Sequence, residues 1–240
     1  MTERVLPKGA RLIPWEADCV FRGEIYEVHQ WPQKMPDGSV KTFEMLRRPD
    51  TVMVIALDQA GDVLVIDEKQ PGGIVRKNHL PVGRVDSSDE SVLVAAQREL
   101  REETGCTFAN WRLLDVVQMD KKIEWFTYLF LATGGVLHRA AQHLDAGEDI
   151  TVKSASLAEV LHQDNVLRYF PWLRDVESAE DLTPRDYIKK ASKISYVNHT
   201  ALYNSSVRKN CDVWQGIERE PQRLPVMNSS IWRTIKMVCI

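Results

Sequence analysis

The sequence predicts an α/β sandwich built on a mixed β-sheet. Residues 51–57 (TVMVIAL) form a continuous apolar run of strand length, rich in β-branched side chains, as a buried strand requires. Shorter strand-like runs separated by turn signals lie on either side of it, which points to hairpins. Two helical segments, opening near Ser91 and at Ser156, are set between groups of strands. Strand groups with helices between them bury both faces of a sheet.

In chain order, residues 1–19 carry little periodicity and read as an arm. Alternation over residues 21–28 predicts a strand, and residues 40–46 its antiparallel mate, with Pro36-Asp37-Gly38 as the turn between them. After the central run, residues 58–62 turn the chain and residues 63–66 return as the next strand. Pro71-Gly72-Gly73 marks a loop, and Leu80-Pro81-Val82-Gly83 leads into the first helix. Residues 113–117 and 125–131 read as further strands around a polar turn at Asp120-Lys121-Lys122. Residues 150–152 give a short strand, and Ser156 is the expected N-cap of a second helix over residues 156–162. A third helix is expected over residues 184–193, within a polar, tryptophan-bearing tail that includes Trp214 and Trp232. The expected organisation is an arm and hairpin over residues 1–50, a main domain over 51–175 and a partly helical C-terminal extension over 176–240.

Composition sets outer limits. The formal net charge of −3 gives no long-range attraction to nucleic acid or to an anionic membrane, so neither is an expected partner. An anionic substrate would have to be held by local positive charge or by a metal. Cys19, Cys106, Cys211 and Cys239 are scattered without metal-ligand spacing, which favours thiols in a reducing compartment. The first residues lack the apolar stretch of a secretory signal, and no apolar run approaches the length of a membrane span. A cytoplasmic location is the expectation.

The stretch richest in chemistry is residues 83–106, GRVDSSDESVLVAAQRELREETGC. Ser91 and the apolar residues after it let a helix start, and Gly105 sits where a helix-ending glycine belongs. On that helix Glu99 shares a face with Glu102 and Glu103 one turn later. Like charges so close weaken a helix unless a cation lies between them. A hard divalent ion with oxygen ligands meets that need and leaves positions for water and phosphate.

The ordered set Gly83, Glu90, Arg98, Glu99, Leu100, Glu102, Glu103, Gly105 and the apolar Cys106 resembles the Nudix box. That pattern is glycine, five residues, glutamate, seven residues, then REUxEExGU with U apolar. Seven residues separate Glu90 from Arg98, as in the family, but six separate Gly83 from Glu90. Either the loop carries an extra residue, or Asp89 takes the acidic place. The flanking sequence is similar to the subgroup of ADP-ribose pyrophosphatases and nucleoside-diphosphate-sugar hydrolases. Residues 21–50 look like that subgroup's N-terminal β-hairpin, and His79-Leu80-Pro81-Val82-Gly83 looks like its E-L-P-A-G lead-in without the first glutamate.

The resemblance implies an α/β/α Nudix sandwich and Mg²⁺, or Mn²⁺ in its place, as cofactor. It implies Glu99 and Glu103 as metal ligands, Glu102 as a ligand or acid/base group, and the backbone carbonyl of Val82 as a further ligand. Gly83, Glu90, Arg98 and Gly105 would shape the box, with Arg98 holding a box carboxylate. Glu148 is the candidate general base or additional ligand in the loop Leu144-Asp145-Ala146-Gly147-Glu148-Asp149, where Asp145 and Asp149 compete with it. Glu124 is a weaker rival.

Arg47, Arg48 and Arg84 are the candidate substrate-binding residues, since a guanidinium fork suits phosphate. Trp31, Phe43 and Trp125 are candidate stacking surfaces for a base. The function expected is Mg²⁺-dependent hydrolysis of the pyrophosphate bond in a nucleoside diphosphate linked to another moiety, ADP-ribose or a nucleotide sugar. Dinucleotide cofactors and coenzyme A are the alternatives within the fold, with a capped RNA end the least favoured. A non-catalytic nucleotide sensor, or an interaction protein centred on residues 176–240, are the alternatives of another class. By analogy, the N-terminal hairpin implies a homodimer.

Overall fold

The computed structural model describes residues 4–135, 140–144 and 146–191. Asp145, Cys211, Trp214, Trp232 and Cys239 lie outside them. The apolar run forms β4 (Thr51–Ala56), and its side chains alternate between two cores, as the period of a strand dictates. Val52, Val54 and Ala56 pack in one cluster with Ala95, Ala96 and Leu100 of α1 (Val92–Thr104). Met53, Ile55 and Leu57 pack in the other with Val160 and Leu161 of α2 (Leu157–Leu161) and Val166 of α3 (Asp164–Leu167). In β9 (Ile123–Thr133), Phe126, Tyr128 and Phe130 share the first cluster, while Leu129 and Leu131 share the second. The expected α/β sandwich is the architecture found.

The larger sheet runs β1 (Asp18–Arg22), β2 (Glu27–Lys34), β3 (Val40–Arg47), β9, β4, β7 (Val82–Arg84), and β8 (Asn110–Asp120) also pairs with β9. It is mixed, because β3 and β4 both run parallel to β9 while the other pairs are antiparallel. A smaller antiparallel sheet has the order β10 (Asp149–Ala155), β5 (Val63–Gln70), β6 (Ile74–His79).

One expectation needs correction. The single strand over residues 21–28 is two strands: β1 ends at Arg22, and a turn closed by Gly23 N–H donating to Tyr26 O at 2.8 Å leads into β2. Pro71-Gly72-Gly73 is a loop, as expected, and forms the turn of a hairpin between β5 and β6. Its second strand, β6, escapes detection because only His79 of its residues is buried. The expected mate of β2 is correct, with Trp31 opposite Phe43 in β3.

Ion pairing and hydrogen bonds tie both ends of the described chain to the sheet. Arg4 donates to both oxygens of Asp50, at 2.9 and 2.8 Å, and reaches Glu124 at 3.1 Å. Its guanidinium lies 4.6 Å from the centre of the Phe126 ring. At the other end, α4 (Asp186–Ala191) and the turn before it are held to β8. Asp115 accepts from Trp172 Nε1 at 2.7 Å and from the Tyr187 hydroxyl, and Arg185 N donates to Leu114 O.

Candidate functional site

The candidate site is assembled between α1 and the short strand β7. The Ser91 hydroxyl caps the helix by accepting from Val94 N at 3.1 Å. Gly105 ends it with φ of 72° while donating to Arg101 O at 2.8 Å. A Cβ at Gly105 would also fall 2.3 Å from Ala140 O, so conformation and space both require glycine. The helix buries Ala95, Ala96 and Leu100, and the same stripe continues into Glu103, which is only 7% exposed. Glu99 and Glu102 flank that stripe and are less buried.

Glu103 meets β7 directly, since Val82 N donates to its Oε2 at 3.2 Å. Pro81 O accepts from Val54 N of β4 at 3.0 Å, so the next residue, Val82, turns its N–H and C=O away from β4 toward α1. Gly83 lies against Glu99, and a Cβ there would be 1.9 Å from Glu99 Cδ.

Arg98 knots the box. It donates to Glu99 Oε1 and Glu102 Oε2, both at 2.9 Å, and to Arg84 O at 2.9 Å. It also grips both oxygens of Asp89, at 3.0 and 2.9 Å. Asp89 is buried and its carboxyl is held below the usual range by Arg98, whereas Glu90 is exposed and makes none of these contacts. Asp89 therefore occupies the acidic place that the sequence assigns to Glu90. Five residues separate it from Gly83 and eight from Arg98, so the extra residue lies after the acidic place and not in the loop before it.

The electrostatics of the site are unfavourable to its own charges. Burial pushes Glu99 up to about 7; Arg98 opposes the rise, and Glu102 and Asp86 add to it. Burial raises Glu103 well above the usual carboxylate range, and the charges of Glu99, Glu68 and Glu148 raise it further. Buried carboxylates of this kind ionise readily only beside a cation. The donor set, Glu99, Glu102 and Glu103 with the carbonyl of Val82, suits a hard divalent ion such as Mg²⁺ or Mn²⁺.

Glu148 belongs to the same neighbourhood as Glu103. Before its loop, His143 N donates to Glu102 O at 3.0 Å and Gln142 Nε2 donates to Glu103 O, at the end of α1. Of its rivals, Asp145 lies outside the described residues and the other two are engaged elsewhere. Asp149 pairs with Lys69 on the surface at 2.9 Å. Glu124 is buried under Arg4, Arg47 and the N–H of Ile13.

The candidate substrate arginines are not gathered into one cluster. Arg84 pairs with Asp86 at 3.0 Å beside the box. Arg47 pairs with Glu124, and Arg48 stacks over Trp125 at 4.2 Å and Tyr26 at 5.6 Å. Trp31 is buried against Phe43 in a satellite core with Ile13 and Met45. A surface depression of about 280 Å³ bordered by Trp111, Arg112 and Glu180 includes none of the box residues.

The sequence reading passed over Glu68 and His79. Glu68 is 3% exposed, accepts from Gln70 Nε2 and from Arg76 Nη1 at 3.0 Å, and lies 3.2 Å from His79 Nε2. Burial pushes its carboxyl up, but His79 and Arg76 outweigh burial and leave it lowered. The signal available was His79 itself, standing where the E-L-P-A-G pattern has glutamate.

The NUDIX domain family model matches residues 47–176, more than half of the chain. The chain belongs to the NUDIX family. An ADP-ribose pyrophosphatase of Mycobacterium tuberculosis is 28% identical over 119 residues, 49% of this NUDIX chain and 58% of that protein. The chain thus spans under two-thirds of that relative's length. A methanol dehydrogenase activator of Bacillus methanolicus is 24% identical over 148 residues, 61% of this chain and 79% of the relative. The crystal structure of an ADP compounds hydrolase aligns with a TM-score of 0.51 at 19% identity, over 67% of this chain and 89% of that one, a likeness of fold.

Proposed function

We propose that this NUDIX protein is a hydrolase that uses a divalent metal, Mg²⁺ with Mn²⁺ as substitute, to split the pyrophosphate bond of a nucleoside diphosphate joined to a second moiety. ADP-ribose or a nucleotide sugar is the substrate class, and the products are two phosphomonoesters. The observation that carries this reading is the gathering of Glu103 against Val82 and of Glu99 against Gly83, with Glu102 held beside Glu99 by Arg98 and the buried Glu103 surrounded by other carboxylates. The similarity to the M. tuberculosis ADP-ribose pyrophosphatase supports the substrate class.

A divalent ion on these carboxylates would neutralise phosphoryl oxygens and acidify a bound water. The chain's own residues do the rest. Glu99 and Glu103 would hold the ion, with Glu102 beside them. Arg98 fixes the rotamers of Glu99 and Glu102 and anchors them to Asp89. Glu148, whose charge reaches Glu103, takes the proton of the attacking water. Arg84 at the mouth of the box attracts the diphosphate. The main domain spans residues 51–175, between the arm and hairpin of 1–50 and the extension of 176–240. The edge strand β1 and the exposed Trp15, Phe21 and Val40 support a homodimer through the hairpin.

The test is turnover on ADP-ribose, several nucleotide sugars, NADH and coenzyme A, with and without Mg²⁺, read by a coupled phosphatase. Metal-dependent cleavage of ADP-ribose or a nucleotide sugar, lost by orders of magnitude in Glu103→Gln, is expected. Tight nucleotide binding without turnover on any of them would replace this reading with a nucleotide sensor. Light scattering after size exclusion tests the dimer, and a monomer would refute it.

A further inference from the structure

Away from the box, three side chains of different chemistry converge on the first hairpin. Cys19 of β1 lies directly opposite His29 of β2, and Glu27 is two residues before His29 on the same face. The register slips between Cys19 and Phe21, a bulge of the kind that re-aims a side chain. One ligand atom each from Cys19, Glu27 and His29 lies within 4.8 Å of the other two. His29 is 2% exposed and its Nε2 sits 2.8 Å from Glu27 Oε2.

We propose that Cys19, Glu27 and His29 form a second metal site, for a thiophilic divalent cation such as Zn²⁺. A sulfur, an imidazole nitrogen and a carboxylate oxygen are the donors zinc takes, whereas Mg²⁺ prefers oxygen throughout. Tetrahedral bonds of about 2.0–2.3 Å put neighbouring donor atoms roughly 3.3–3.8 Å apart. Around an ion the His29–Glu27 pair, 2.8 Å apart, would open slightly, and the Cys19 sulfur, within 4.8 Å of both, is in reach of the same spacing. Three protein donors leave a fourth position for water.

The burial of His29 between strands holds its ring in place before the ion arrives. Arg22 grips Glu27 Oε1 at 2.5 Å, which orients the carboxylate and leaves Oε2 facing His29. Arg47 stands 4.0 Å from Oε2 and opposes the ion's charge, so binding depends on the Cys19 thiolate and not on electrostatic attraction alone. The thiol, 3.4 Å from Phe21 O, gives up its proton to solvent as the metal binds.

The experiment uses the full chain, stripped of metal and then saturated with Mg²⁺ to fill the box, and titrates it with Co²⁺ as a spectroscopic stand-in for Zn²⁺. One equivalent should give a near-ultraviolet sulfur-to-cobalt charge-transfer band that Zn²⁺ abolishes. The band should persist in Glu103→Gln and vanish in Cys19→Ser, a near-isosteric change at a half-exposed position. His29→Gln should weaken Co²⁺ binding by about 10-fold or more, with Zn²⁺-induced thermal stabilisation lost alongside. Co²⁺ bound without the band, or a band that survives Cys19→Ser, would overturn the proposal. Failure of the box as a hydrolase would leave it untouched, since neither readout involves turnover.

Discussion

Gly83 and Glu99 occupy the same space: a Cβ on Gly83 would lie 1.9 Å from Cδ and 2.1 Å from Oε2 of Glu99. The glycine is required by this close approach of the strand to a carboxylate. The obstructing atoms are the far end of a flexible side chain, so Gly83→Ala should move Glu99 rather than break the fold. The expected result is a loss of about 10- to 100-fold in Mg²⁺ or Mn²⁺ affinity, with a melting temperature close to that of the wild type. A titration with wild-type affinity would show that Glu99 is not needed at its observed place.

The metal-free site should make stability depend on pH. Glu99 has its ordinary value of 4.5 when unfolded and about 7 when folded, so the native state holds more protons between those values. Stability therefore falls as pH rises through that window, by on the order of 3 kcal/mol for Glu99 alone, and Glu103 acts in the same direction. Adding Mg²⁺ should recover the loss, and its apparent affinity should weaken as pH falls below about 7, because protons compete for the ligands. Thermal melts in chelator at about pH 5 and about pH 8 check the sign. A metal-free protein more stable at the higher pH would contradict the burial of these carboxylates.

Asp89 and Glu90 are neighbours with opposite fates. Asp89 is clamped by two hydrogen bonds from Arg98, and its oxygen also accepts from Asp86 N at 2.8 Å. Removing it as Asp89→Ala should cost about 1–3 kcal/mol and loosen the hold of Arg98 on Glu99 and Glu102. Glu90→Ala should stay within about 0.5 kcal/mol. Denaturant unfolding of both variants decides between them; equal effects would remove the distinction.

That pair also shows what could be read from the sequence. The strand β4, the caps at Ser91 and Gly105, and the alignment of Glu99 with Glu103 follow from local periodicity and cap chemistry, so they were legible. Which of two adjacent acids Arg98 selects depends on how the loop after β7 folds back, and spacing favoured Glu90. β6 was invisible because its side chains are almost all exposed and carry no alternation. The ties of Arg47 and Arg48 to Glu124 and Trp125 depend on β3 lying beside β9, a pairing of residues far apart in the chain. Glu68 sits in the polar stretch Asp67-Glu68-Lys69-Gln70, which reads as surface until β6 covers it.

Glu68 is a lowered, ionised carboxylate whose charge reaches Glu103 and makes Glu103 harder to ionise. Glu68→Gln keeps the shape and removes the charge. Glu103 should then ionise more readily, so the pH at which half of the Mg²⁺ affinity is lost should move downward. Arg76 and His79 would each lose a carboxylate partner, which should lower stability by about 1–3 kcal/mol. The two effects separate Glu68 from a purely structural residue, which would change the unfolding midpoint and leave the pH profile of metal binding where it was. Mg²⁺ titrations of wild type and Glu68→Gln across about pH 5–8, the range over which carboxylates raised by burial titrate, make the comparison. An unmoved profile would assign Glu68 to stability alone.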